Sequence, residues 1–169
     1  VATAQAAFAP FADPVIFLFI GSFILAEGMV VHRLDRRLAF TALSSAWVGS
    51  SGLRLVVAYA TVTAVLSMWM SNTATTAMMF PLGVAVLAEL GRERKGDREF
   101  QRYALAMMLV TSFAATIGGM GTPVGTPPNL IGVGLLRTTA DINISFTGWM
   151  LVGVPIVILT MAFITVWFL

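Results

Sequence analysis

The sequence predicts an all-α integral membrane protein, with transmembrane helices, one re-entrant hairpin and one broken helix. Three observations carry that expectation. Of 169 residues, 58% are hydrophobic and 11% charged, at a mean hydropathy of +0.90; an ordinary soluble domain is about 45–50% apolar and about 25% charged. Nine of the ten basic residues fall in two clusters, 33–54 and 92–102. Residues 55–88 and 103–136 carry no charge at all, and each stretch is interrupted by residues that favour helix ends.

This composition excludes a disordered chain, a nucleic-acid module and most soluble enzymes. The net charge is only +2, so no basic patch is implied beyond what topology needs. With no Cys there is no disulfide or thiol-redox framework, and a single His excludes a His-rich metal cage. Val1–Pro10 lacks the charged start of a secretory signal. The chain begins at Val1 and ends inside an apolar run, which predicts a fragment of something longer.

The elements follow in order. Residues 1–31 hold the first span, Val15–Val31, whose one charge is Glu27, five residues before His32. A bilayer core takes about 20 helical residues, so this segment and Trp149–Leu169 each suit one crossing. Residues 32–54 read as a cytoplasmic interfacial helix and linker, amphipathic through Leu34, Leu38, Leu43 and Trp47. Both basic clusters are expected on the cytoplasmic side. The uncharged 55–88 must therefore enter and leave by the same face. At 34 residues it would reach about 51 Å as one straight helix. Two half-helices meeting near the midplane solve this, giving a re-entrant hairpin over 55–90. Residues 91–136 are a cytoplasmic loop and a broken crossing, and 137–169 an outer loop and last span.

The hairpin breaks in Ser67-Met68-Trp69-Met70-Ser71-Asn72-Thr73-Ala74-Thr75-Thr76, six of whose side chains carry a hydroxyl or amide. Ser, Asn and Thr compete for backbone groups and favour helix ends. A first half-helix over 55–70, a turn at 71–73 and a second half-helix over 74–90, kinked at Pro81, are expected. The second break, 118–129, holds four Gly and three Pro in twelve residues. Helix should stop near Ile117 and restart near Pro128 or Asn129, because Pro breaks the ladder and biases its predecessor to extended geometry. Gly118, Gly119 and Gly121 serve either the break or close helix packing.

Unwound backbone at membrane depth occurs only inside protein or against a cavity. Each break is thus a candidate binding site, with helix N-termini for anions and loose carbonyls for cations. Neither stretch contains Lys, Arg, His, Asp or Glu. An anion here meets helix ends, hydroxyls, amides and co-bound cations, and a cation meets hard neutral oxygens that suit Na⁺. No constellation for an intramembrane enzyme exists.

These runs resemble the divalent anion/sodium symporter family, of sodium-dicarboxylate and sodium/sulfate type. The matching segments are LSMWMSNTATTAMMFPL at 66–82, IGGMGTPVGTPPNLIG at 117–132, and FADPVIFLFIGSFILA at 11–26 with the HRLDRRLA that follows Val31. The resemblance implies one half of an inverted-repeat elevator transporter, an N-terminal repeat that works as a homodimer when full length. It implies Na⁺ bound by the Ser67 carbonyl, the Ser71 hydroxyl, the Asn72 side chain and the Gly125 carbonyl. It implies a substrate carboxylate met by Asn72, Thr73, Thr126 and Pro127. Na⁺ is then the coupling ion, with no organic cofactor. The implied function is secondary transport of divalent anions such as C4-dicarboxylates, in a multi-pass bacterial inner (plasma) membrane protein. Alternatives are sulfate or a tricarboxylate as substrate, Na⁺-independent exchange, and a channel-like or non-transporting subunit.

Overall fold

Helices account for the regular structure of residues 3–4, 14–49, 51–92 and 97–168, the part of the chain that the computed structural model describes. They are α1 (Pro14–Val31), α2 (Leu34–Leu43), α3 (Gly52–Ser67), α4 (Asn72–Leu90), α5 (Arg98–Gly118), α6 (Pro127–Ala140) and α7 (Phe146–Phe168). There is no strand among the described residues. By length and composition α4 and α7 can each cross a membrane, and α1 with α2 form a third candidate bent by 63°.

That bend has a local cause. Arg33 sits in the left-handed region at φ 54° and turns the chain between α1 and α2. The turn places Asp35, Ala39 and Leu43, which recur every fourth residue, against the body of the protein. Asp35 is only 4% exposed, whereas Leu34 and Leu38 are 44% and 51% exposed. The helix within 32–54 is thus ten residues long; Asp35, Ala39 and Leu43 face the protein, while Leu34 and Leu38 stay exposed. A one-turn periodicity cannot say which stripe faces protein when apolar side chains are equally at home facing lipid.

The core is the bundle of α3, α4 and α5. The helices α3 and α5 run parallel. Tyr103 near the start of α5 donates its hydroxyl to Gly52 O at 2.9 Å, and Ser67 at the end of α3 donates to Ala115 O at 2.6 Å. The helix α4 returns between them. Tyr59 donates to Met79 O at 2.8 Å and lies 3.0 Å from Thr111 Oγ1, tying all three helices at one level. Gly91 at the end of α4 packs against Phe100, so both ends of the α3–α4 pair lie beside the start of α5. Small residues let α3 and α5 approach closely. A Cβ on Gly118 would fall 2.5 Å from Ala64 Cα. The helix α7 packs along α5 through Ile117, Val157 and Ile164.

Helix boundaries differ slightly from the sequence reading. The half-helix α3 ends at Ser67, the turn is 68–71, and Asn72 and Thr73 already belong to α4. The cause is Ser71, the N-cap, whose Oγ accepts from Ala74 N at 3.2 Å. Pro81 is accommodated inside α4. At the second break, α5 runs to Gly118 and α6 starts at Pro127, with Pro in the first turn where its missing N–H is harmless.

Candidate functional site

The two breaks lie against one another. Thr122, in the middle of the second break, donates its hydroxyl to Met68 O in the hairpin turn. The same Oγ1 accepts from Gly125 N at 3.1 Å, so one side chain fixes both loops. Asn129, in the first turn of α6, donates through Nδ2 to Gly119 O at 2.8 Å and Thr122 O at 2.9 Å. Trp149 of α7 donates its indole N–H to Met120 O at 2.9 Å. These bonds satisfy carbonyls that an interrupted helix would otherwise leave bare.

The glycines are spacers. None in the second break has positive φ. A Cβ on Gly119 would strike the Asn72 carboxamide, and one on Gly125 would lie 2.5 Å from Gly119 O. Asn72, Gly119 and Gly125 therefore stack with only backbone between them. Gly121 is different: its Cβ would meet the flexible end of Met68 at 2.8 Å. This ranks Gly125 and Gly119 above Gly121, a distinction that the glycine count alone does not make.

Asn72 and Ser67 form the centre of this cluster. Ser67 is fully buried, with its Oγ 2.8 Å from Asn72 Oδ1 and 2.6 Å from Ala115 O. A hydroxyl has one proton. If it goes to Ala115 O, the shorter contact, Asn72 must meet Ser67 as an amide donor after rotation, or as an oxygen beside a cation. The Ser67 carbonyl lies at the end of α3, and no backbone N–H outside the helices donates to it among the described residues. Ser71 is exposed at the tip, its hydroxyl engaged as cap.

Thr73 opens elsewhere. With Asn72 it lines a groove of about 520 Å³ between α4 and α5, walled also by Thr76, Ser112, Thr116 and Pro81. Thr126 caps α6 with extended backbone but makes no side-chain cap bond, and Pro127 is exposed at the helix start. The structure thus joins Ser67 to Asn72 directly and Asn72 to Gly125 through Gly119, sets Ser71 exposed at the tip, and leaves Thr73, Thr126 and Pro127 at helix starts. The sequence reading gives Thr122 and Asn129 no role, and it leaves Gly119 between the break and helix packing. The signal for Asn129 was present: an amide in an uncharged membrane stretch must find partners.

A family model described as "Citrate transporter" (CitMHS) matches residues 1–169. The chain belongs to the citrate transporter family. Among curated relatives, an "Uncharacterized transporter" of Haemophilus influenzae is 41% identical over 150 residues, 88% of this chain and 30% of that protein. The "Sodium-dependent dicarboxylate transporter SdcS" of Staphylococcus saprophyticus is 37% identical over 153 residues, 89% of this chain and 29% of that protein. SdcS of Staphylococcus aureus (strain USA300) is 36% identical over 151 residues. The chain thus spans less than a third of the length of these relatives. The family and these relatives are transporters, not enzymes, which agrees with the resemblance drawn from the two broken segments.

Proposed function

We propose that this chain forms the ion- and anion-binding half of a Na⁺-coupled transporter for divalent anions, of which C4-dicarboxylates are the favoured class. The stack of Asn72 on Gly119 and Gly125, beside the buried Ser67, carries this reading. It gathers neutral oxygens at the meeting point of two interrupted helices, with no charged side chain in either stretch. Two relatives named for sodium-dependent dicarboxylate transport support it. The bacterial source of these relatives supports a plasma-membrane location. The homodimer and the second repeat belong to the full-length protein in this reading.

The roles follow from chemistry. The Ser67 and Gly125 carbonyls, the Ser71 hydroxyl and the Asn72 oxygen hold Na⁺. Asn72 and Thr73 at the start of α4, with Thr126 and Pro127 at the start of α6, face the anion. Each helix end offers about half an elementary charge before screening. Desolvating a dianion against that alone is expensive. Bound Na⁺ supplies a full charge and draws Asn72 toward Gly125. Na⁺ therefore binds first and raises anion affinity, and the coupling is reciprocal. Succinate binding and labelled succinate uptake by the full-length protein, titrated at several Na⁺ concentrations with choline at constant ionic strength, test this. Affinity should rise with Na⁺; affinity independent of Na⁺ would favour an exchanger instead.

The hairpin is re-entrant in this reading, because both its ends lie beside the start of α5 among the basic clusters. Single-Cys variants at Arg54 and Arg92 should react with an impermeant reagent from the cytoplasmic face, and one at Asp141 from the other. Labelling of the first two from opposite faces would end the re-entrant topology.

A further inference from the structure

Five side chains in the α3–α4–α5 core carry buried hydroxyls, and one of them stands apart. Tyr59 bonds Met79 O, Thr63 bonds Tyr59 O at 2.7 Å, Thr111 bonds Met107 O at 3.0 Å, and Ser67 bonds Ala115 O. Thr75 is 0% exposed, and its Oγ1 has no hydrogen-bond partner. It is the one buried side-chain polar atom without a partner among the described residues. The usual escape of a helical threonine, a bond back to the carbonyl four residues earlier, is not taken here. Ser71 O accepts the Thr75 backbone N–H at 2.9 Å but not its hydroxyl. An unpartnered buried hydroxyl is unfavourable and calls for a specific explanation.

Its position supplies one. Thr75 follows Asn72 by three residues and Ser71 by four, so its side chain neighbours both on the helix surface. Helical side chains lean toward the N-terminus of their helix. In α4 that direction leads to the Asn72–Ser67 pair. We infer that Thr75 Oγ1 is a further oxygen ligand of the coupling cation, completing from below the set supplied by Ser67, Ser71, Asn72 and Gly125. The inference rests on the Na⁺-coupled reading above and adds a residue to it. The hydroxyl offers lone pairs to the cation while its proton turns away, a role that the apolar isostere valine cannot fill.

The test uses the purified full-length protein and two readouts that need no transport: thermal stability against Na⁺ concentration in choline-balanced buffer, and the ratio of Na⁺ to Li⁺ stabilisation. Thr75→Val should be at least as stable as the parent without Na⁺, because an unpartnered buried hydroxyl has been replaced by a methyl of the same shape. Its half-saturating Na⁺ should rise about tenfold, the lower end of the effect of losing one contact to a charged group, and its Na⁺/Li⁺ ratio should change. Thr75→Ser keeps the oxygen and should keep the parental Na⁺ response. Asn72→Ala provides the reference. If Na⁺ fails to stabilise even the parent, the Na⁺-coupled reading falls. If Na⁺ stabilises the parent and Asn72→Ala loses the response, but Thr75→Val retains it unchanged, the ligand role of Thr75 alone is overturned.

Discussion

Asn72→Ala in the full-length protein is expected to shift the Na⁺ activation of uptake to about thirtyfold higher Na⁺ while leaving folding nearly intact. The carboxamide stands between Ser67 Oγ and the Gly119 backbone, with Gly125 behind it. Removing it deletes the amide that links Ser67 to the Gly119 backbone. Losing a contact to a charged partner costs about 2 kcal/mol, or about thirtyfold in apparent Na⁺ affinity. If Asn72 merely tied two helices, the average membrane hydrogen bond of about 0.6 kcal/mol would give less than a threefold change. Na⁺ activation curves at matched expression separate these values. An unchanged curve would remove Asn72 from the ion site.

The second large effect is structural. Gly118→Ala should prevent α3 and α5 from closing, although alanine is a better helix former than glycine. The added methyl would fall 2.5 Å from Ala64 Cα and 2.7 Å from Ala64 C. Main-chain atoms cannot swing aside as a side chain does. The helices must separate, which breaks the 2.6 Å bond from Ser67 to Ala115 O that the close approach permits. Overpacking of this kind costs about 3 kcal/mol. The expected observation is loss of monodisperse protein on size-exclusion chromatography and a much lower melting temperature. Gly132→Ala, where a Cβ meets nothing within 4 Å, is the control and should behave as the parent. Parental behaviour of Gly118→Ala would refute the tight crossing.

The breaks were legible because they violate a strong rule. A run of 34 uncharged residues cannot be one helix in a bilayer, and Ser71 and Pro127 are the residue types that start helices. Charge clustering likewise placed both ends of the hairpin together. What the sequence withheld was lateral packing. Lipid and protein interior are equally apolar, so periodicity does not reveal that Asp35 and Ala39 face inward while Leu34 and Leu38 face out. Nor does it show that Gly119 meets Asn72 and Gly125 meets Gly119 while Gly121 meets a methionine. Such distinctions depend on contacts between segments about 50 residues apart, such as Thr122 with Met68. No local pattern encodes them.

The same separation sets an order of assembly during synthesis. Ser67 and Asn72 are five residues apart, so their contact can form as soon as the tip of the hairpin leaves the ribosome. The acceptor Ala115 O lies 48 residues beyond Ser67, and the anchor Thr122 lies 54 beyond Met68. Until those residues are made, the newborn tip holds its polar groups without their final partners. In the re-entrant topology proposed above, the tip would wait beside water or the insertion machinery and enter the bilayer interior only together with α5 and the loop that follows.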